Sequence, residues 1–227
     1  MGSVDQNDLP CRSTAADQGC VVVSVGYRVA PETVFPGNVE DCYAGLKWVF
    51  ENAAEQGFDT SRIGVKGESA GGGLAAALAL LARDRGEYKL AFQHLIYPML
   101  DDRTGTSSEP HDYAGHFIWQ VEGNRFGWKS LLGREPGGDD VSPYAAPSRA
   151  TDLTGLPPTF IYTGALDLFV EEDLEYARRL IRAGVPTELH VYPGAFHGFE
   201  VAAESQVAQQ AIRDTTAALR RFMAPKG

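Results

Sequence analysis

The stretch Gly67-Glu68-Ser69-Ala70-Gly71 follows a short apolar run and precedes a long segment rich in alanine and leucine. A serine between two glycines at such a junction is typical of a nucleophile elbow, a strand-to-helix turn that exposes the serine hydroxyl at a helix N-terminus. The turn is so sharp that we expect no room for side chains at its flanks, a demand that glycine meets. Because the chain has 25 glycines, the five letters alone are weak support. The strand predicted over 63–65 and the helix predicted over 70–85 supply the context that favours Ser69 as a nucleophile.

A serine hydroxyl needs a base to take its proton, and that base needs an acid to fix its tautomer. In folds with this turn, the acid precedes the histidine along the chain. A predicted strand over 158–163 ends just before Asp167, and another over 188–192 ends just before a glycine-flanked loop that contains His197. Because the carboxyl ends of parallel strands meet at one edge of a sheet, we expect Asp167 and His197 to meet Ser69 there.

Other acids and histidines have simpler explanations. Three acids beyond Asp167 are expected to begin a helix, where negative charge favours the positive end of the dipole: Glu171, Glu172 and Asp173. His94 and His190 fall inside predicted strands, so we expect ordinary hydrogen-bonded side chains there and no catalytic role. His111 and His116 lie in an irregular stretch, where a solvated surface position is expected although substrate contact stays open.

Taken together, these segments resemble a bacterial member of the hormone-sensitive lipase family of α/β-hydrolase esterases and lipases. The matching segments run in family order along nearly the whole chain: 25–32 with Phe35-Pro36, 67–72, Asp167 with 171–173, and 197–199. The resemblance implies an α/β-hydrolase fold, with a mostly parallel sheet flanked by helices. It also implies hydrolysis of short to medium acyl esters through an acyl-enzyme on Ser69, with His197 as base and Asp167 as acid.

The sequence departs from the family pattern at four places. Three departures leave the reacting groups untouched: Glu68 where the family more often has Asp, Gly26 where an Asp is common, and Leu168 where a Pro is common. The fourth is the lack of a His-Gly-Gly-Gly loop, whose backbone N–H groups form most of the family's oxyanion hole. Residues 1–5 resemble the segment directly after that loop, so we expect a chain truncated at its N-terminus. The N–H of Ala70 is then the oxyanion donor that can be assigned, and we expect impaired activity or rearranged strand pairing.

The composition favours a single soluble enzyme domain. At 227 residues with 44% hydrophobic content, the chain is long enough for one domain with a substantial core. The net charge of −10 argues against nucleic acid and anionic membranes as partners. The longest apolar run, 74–82, falls short of the about 20 residues that span a bilayer. We expect a cytoplasmic protein with a small-molecule ester substrate and no cofactor, and a homodimer stays open.

The three cysteines, Cys11, Cys20 and Cys42, are odd in number and lack a Cys-x-x-Cys spacing. Reduced thiols in the core are therefore expected, and neither a disulfide nor a metal site is implied.

Alternation of strands and helices predicts a parallel sheet within a single catalytic domain over 1–227. Further helices are predicted over 6–18, 38–56, 172–183 and 205–223, and further strands over 20–25 and 93–97.

The segment 101–150 lacks clean periodicity and is predicted to be a cap or lid-like insertion. Most of its five large aromatic residues are expected to form its own small core, and a minority to line the acyl pocket: Tyr113, Phe117, Trp119, Phe126 and Trp128. The predicted substrate contacts are Glu68, Phe117, Trp119 and Phe199.

Two other functions stay open on the sequence. One is a catalytically impaired α/β-hydrolase fragment or binding module that keeps the triad without a complete oxyanion hole. The other is an amidase or peptidase on the same fold, which is disfavoured because nothing specifies a peptide-recognition domain.

Overall fold

A computed structural model describes residues 4–106 and 110–224 of the chain. Its α-helices are α1 (Asp8–Gln18), α2 (Gly37–Glu51), α3 (Ala53–Gln56), α4 (Ala70–Arg85), α5 (Val121–Leu132), α6 (Val170–Arg182) and α7 (Gln206–Met223). Its strands are β1 (Val65–Glu68), β2 (Gln93–Ile96), β3 (Thr159–Gly164) and β4 (Thr187–Tyr192). Short 3-10 helices span Val4–Asn7, Thr60–Arg62, Pro147–Arg149 and Phe199–Val201. Part of the 1–5 segment compared with the family, residues 1–3, lies outside the described residues.

The four strands form one parallel sheet in the order β1-β2-β3-β4, which confirms the predicted sheet flanked by helices. The register aligns the carboxyl ends, so that Glu68 of β1 lies beside Ile96 of β2. Ser69 follows β1 directly, and the loops after β3 and β4 carry Asp167 and His197. The sheet therefore brings residues that are distant in sequence to a single edge.

Helix α4 packs closely on the sheet because its first turn and body are built of small residues. A Cβ atom added at Gly73 would lie 1.9 Å from the carbonyl oxygen of Met99, and one at Gly72 would lie 2.9 Å from the Cβ of Pro98. The helix residues 75–82 are all buried, as are all positions of β2 and β3. This helix-on-sheet contact is the centre of the main hydrophobic core.

The predicted strand over 20–25 is wrong, because residues 20–25 run without regular secondary structure. A strand forms only where its backbone N–H and C=O groups pair with a neighbour, and none of the four described strands pairs with this segment. Three of its four valines are exposed, by 66% at Val21, 37% at Val22 and 42% at Val23, whereas Val25 is partly buried against the core. An apolar run of β-branched residues therefore indicates a preference for strand, but it does not supply the neighbouring strand with which to pair.

The segment 101–150 contains the helix α5, which is absent from the helices predicted above. Gly123 and Gly127 obscure its pattern, since glycine costs about 0.5–1 kcal/mol in a helix interior relative to alanine. The helix forms because Trp128 is buried against Met99 and Phe169 in a small cluster beside the sheet. Residues 107–109 of this segment lie outside the described part of the chain.

The cysteines occupy two kinds of environment. Cys42 is buried in the core, where burial raises the pKa of its thiol to about 12, whereas Cys11 and Cys20 are half-buried. All three are free. No helix within 4–106 or 110–224 is long and apolar enough to cross a membrane.

Candidate active site

Three predicted residues form a continuous hydrogen-bonded chain at the carboxyl edge of the sheet. The Ser69 Oγ lies 2.9 Å from the Nε2 of His197, and the Nδ1 of His197 lies 2.8 Å from the Oδ2 of Asp167. The other oxygen of Asp167 accepts the backbone N–H of Phe169 at 3.0 Å, which fixes the carboxylate. Asp167 is fully buried and His197 is 6% exposed. The arrangement orients the imidazole so that Nε2 faces the serine hydroxyl.

Ser69 occupies a backbone conformation that few residues adopt, with φ 55° and ψ −122°. Its N–H donates to the carbonyl of Ile96, and its own carbonyl accepts the N–H of Met99. A Cβ atom at Gly67 would lie 2.0 Å from the carbonyl oxygen of Gly71, so glycine is required there. The expectation that Gly71 also has no room for a side chain is wrong, because an added Cβ there meets no atom within 4 Å outside its own helix turn.

Ala70 is the first residue of α4, directly after Ser69. The N–H groups of a helix's first turn have no acceptor within the helix, and they lie at the positive end of its dipole. The backbone N–H of Ala70 therefore has the chemistry of an anion donor beside the serine oxygen. Its role as a hydrogen-bond donor to the oxyanion stays a prediction.

Three aromatic rings surround the imidazole of His197. The ring centroid of Tyr97 lies 4.6 Å from that of His197, Phe169 lies 5.2 Å away, and Trp119 lies 6.1 Å away. Tyr97 follows β2 with φ 32°, Phe169 precedes α6, and Trp119 comes from the segment 101–150. The rings enclose the imidazole in a largely apolar environment that limits contact with water.

The acids that follow Asp167 lie in the first turn of α6, as expected. Glu171 is exposed, whereas Glu172 and Asp173 are buried in the first turn of α6. Burial raises the pKa of Asp173 far above its usual range, and the nearby Glu172 and Asp167 act in the same direction. This burial favours the neutral form of Asp173, and Asp167 is the carboxyl group that contacts the ring of His197.

The carboxyl group of Glu200, which is half-buried beside the histidine loop, has no signature of its own in the sequence. The hydroxyls of Tyr97 and Tyr162 both bind the carboxyl group of Glu200, with the Tyr97 bond at 3.3 Å. Burial raises the pKa of Glu200. Because Glu200 comes three residues after His197, these bonds attach the histidine loop to β2 and β3. The available signal was the position of the two tyrosines at the ends of adjacent predicted strands.

The four predicted substrate contacts fall in different places. Trp119 lies beside His197, and Phe117 is half-exposed with its ring 5.7 Å from that of Phe196. Glu68 pairs with Lys66 at 2.7 Å and lines a polar cavity of about 260 Å³ between the sheet and helices α1 and α7.

Phe199 is a correction, because the structure places it in the core. Its side chain is 1% exposed and packs against the rings of Tyr162 and Tyr192, at 6.0 and 5.7 Å. The glycine at 198 has φ 70° and turns the chain into a 3-10 helix that directs Phe199 inward. Its closeness to His197 in sequence therefore does not bring it to a substrate.

The remaining aromatic residues of the segment 101–150 do not form a shared core. Trp128 is buried, but Tyr113 and Phe126 are largely exposed, so the expectation that most of the five pack together is wrong. Among the histidines, His111 and His116 are exposed, as expected.

The strand histidines stay outside the triad. His190 bonds to Glu188 at 2.8 Å. His94 is fully buried and stacks on Phe160 at 4.6 Å, and burial lowers its pKa to about 3. The expected hydrogen bonds of His94 are not found, since neither ring nitrogen has a partner among the described residues.

No group of three or more His, Cys, Asp or Glu side chains in the described part of the chain could hold a metal ion.

Comparison with known proteins gives matches over most of the chain. Residues 1–201 match a family model described as the alpha/beta hydrolase fold. Carboxylesterase NlhH of Mycobacterium tuberculosis is 38% identical over 98% of this chain and 70% of its own length. Esterase LipI of the same organism is 36% identical over 88% of this chain and 62% of its own length. The solved structure of a bacterial heroin esterase superposes with a TM-score of 0.94 at 44% identity, covering 99% of this chain and 72% of that one.

Proposed function

The chain belongs to the alpha/beta hydrolase fold family, in its hormone-sensitive lipase group of serine ester hydrolases, and we propose that Ser69, His197 and Asp167 perform the ester hydrolysis. The observation that carries this assignment is the pair of hydrogen bonds through both ring nitrogens of His197. The serine and the histidine are 128 residues apart in sequence, so the contact is a product of the fold. A nucleophile, a base and an orienting acid in hydrogen-bond reach are the minimum set for acyl transfer.

The proposed reaction has two acyl-transfer steps. His197 Nε2 takes the proton of Ser69 as Oγ attacks the ester carbonyl, and the imidazolium then protonates the departing alcohol. A water molecule repeats the sequence on the acyl-enzyme, which frees the acid and restores the serine. Asp167 accepts the Nδ1–H of His197 throughout, which keeps Nε2 available as the base and stabilises the imidazolium. The Ala70 N–H is proposed as one donor to the oxyanion that forms in each step.

We propose short to medium acyl esters of small alcohols as substrates, with the segment 101–150 as a cap-like insertion. The support is that this segment brings Trp119 to His197 and places the half-exposed Phe117 next to the same loop. The faces of the Trp119 and Phe117 rings offer apolar contact to a substrate. The surface around these two rings is open to water. The relatives named as esterases favour ester over amide hydrolysis. A cytoplasmic location and a homodimer stay predictions.

Labelling with a fluorophosphonate probe tests the nucleophile directly. We expect the label on Ser69 and its loss in Ser69→Ala, whereas Ser205→Ala should label like the natural chain because Ser205 caps α7. Label on another serine, or undiminished label in Ser69→Ala, would contradict the assignment.

Rates of p-nitrophenyl butyrate hydrolysis test the base and the acid. His197→Gln should lose as much activity as Ser69→Ala because the triad acts as a unit, and Asp167→Asn should lose about 10⁴-fold through the wrong tautomer. His190→Gln is the matched control and should keep its rate. Equal turnover of a matched anilide would indicate an amidase, and labelling of Ser69 without turnover would indicate an impaired hydrolase.

A further inference from the structure

The placement of Trp119 beside His197 depends on an unfavourable turn of the chain. Ile118 has φ 58°, a left-handed conformation that is rare for a β-branched residue. The N–H of Trp119 donates to the carbonyl of Phe117 at 2.6 Å, which closes the turn. Ile118 is itself mostly exposed, so its own side chain does not impose this conformation. The neighbouring Trp119 is, by contrast, partly buried.

The indole of Trp119 is bound by a buried amide. Its Nε1–H donates to the Oδ1 of Asn124 at 3.3 Å, and Asn124 is fully buried on α5. The Nδ2 of Asn124 donates in turn to the carbonyl of Thr104 at 3.0 Å. An amide that is buried and uses both its donor and its acceptor has a fixed orientation. Asn124 therefore joins the indole to the chain that follows β2.

The same chain of bonds continues to α6. The hydroxyl of Thr104 binds the Oε2 of Glu172, and the Oε1 of Glu172 accepts the N–H groups of Leu100 at 2.6 Å and Asp101 at 3.2 Å. Glu172 lies in the first turn of α6, which begins directly after Phe169. Residues 100–101 follow Tyr97 by three and four positions. One network therefore connects the three chain segments that supply the rings around His197.

We propose that Asn124 is a positioning residue for catalysis, which holds the Trp119 indole against the His197 imidazole through this network. The inference rests on the proposed role of His197 as the base. An indole fixed at this place keeps water from the imidazole and offers a ring face to the imidazolium that forms during acyl transfer. When the amide is removed, the indole is free to rotate away and the strained turn at 118 can relax. The chemical step then slows, although the residue touches neither substrate nor triad.

The kinetic test uses Asn124→Leu, Trp119→Phe and the double variant on p-nitrophenyl butyrate. Loss of one hydrogen bond corresponds to about 3- to 10-fold, and we expect a fall of that size in kcat with KM changed less than about twofold. Trp119→Phe keeps a ring and loses the N–H, so the double variant should be no slower than the slower single variant. Additive losses, or a rise in KM at unchanged kcat, would overturn the proposal, since they indicate general destabilisation or a simple substrate wall.

Two threonines supply a second variant and its control. Thr104→Val removes the hydroxyl that binds Glu172 and keeps the carbonyl that binds Asn124. It therefore breaks the network at a point more distant from His197, and it should lower kcat in the same way. Thr106→Val removes only an exposed hydroxyl that bonds the carbonyl of Arg103, and it should leave kcat unchanged. Equal rates for both valine variants would contradict the proposed network even where Asn124→Leu fails to fold.

A fluorescence measurement separates this inference from the proposed function. The emission of Trp119 is obtained by subtracting that of Trp119→Phe, and its quenching by acrylamide reports the exposure of the indole. We expect quenching of Trp119 to increase about twofold or more in Asn124→Leu, whether or not the chain turns over an ester. Unchanged quenching would overturn the network, whereas an inactive natural chain with increased quenching in the variant would count against the proposed function alone.

Discussion

His94 gives a direct test of how burial sets the pH dependence of stability. The side chain is fully buried on β2, and its ring stacks on Phe160. Burial lowers its pKa from 6.5 to about 3, and the positive charge of Lys66 acts in the same direction. The folded chain therefore holds His94 neutral at pH values where the unfolded chain protonates it.

The sign and the size of the effect follow from these two pKa values. Between about pH 6.5 and pH 3 the unfolded chain binds a proton that the folded chain does not, so the free energy of unfolding falls as the pH falls. The slope is at most about 1.4 kcal/mol for each pH unit. From pH 7 to pH 5, His94 alone is expected to remove about 2 kcal/mol, against a whole-domain stability of about 5–15 kcal/mol.

Urea unfolding of the natural chain and of His94→Gln at both pH values measures this contribution. Glutamine has no charge to gain, so the variant should lose about 2 kcal/mol less than the natural chain on acidification. The comparison is made as a difference because the raised pKa values of the buried Glu172 and Asp173 act in the opposite direction. Parallel stability curves for the natural chain and His94→Gln would refute the reasoning.

Two further substitutions, the first with a control, test the packing of α4 and a buried ion pair. Gly73→Ala places a Cβ 1.9 Å from the carbonyl oxygen of Met99 and should abolish soluble expression. Gly71→Ala is its control, because a Cβ there meets no atom within 4 Å outside its own helix turn, and it should express and melt like the natural chain. Equal melting temperatures for both would contradict the close contact between α4 and the chain that follows β2. Asp102→Asn leaves the guanidinium of Arg149 without its buried carboxylate partner at 2.7 Å, and should cost about 3 kcal/mol in urea unfolding. A cost within the error of the measurement would show that the pair is solvated.

Several features of the site could be predicted from local sequence. Gly67 is required because the turn brings its Cα against the carbonyl of Gly71, and a strand followed by a glycine-flanked serine predicts such a turn. Helix α4 begins and ends where predicted. The alanines and leucines over 74–82 favour helix, whereas the glycines at 72 and 73 are required by close packing. Asp167 and His197 were found because each follows a β-branched or aromatic run, and parallel strands bring such loops to one edge.

The tertiary structure alone decided the features that depend on distant partners. Val21 to Val23 have a strand's composition but no strand, since pairing is a property of two segments and not of one. Phe199 is buried and Trp119 reaches the imidazole, although the first lies closer to His197 in sequence, because core packing and not sequence distance sets their positions. Asn124 has no motif, and its bonds to Trp119 and Thr104 exist only once α5 is folded against the sheet. The sequence by itself determined which residues could react and in what local conformation, while long-range packing decided what surrounds them.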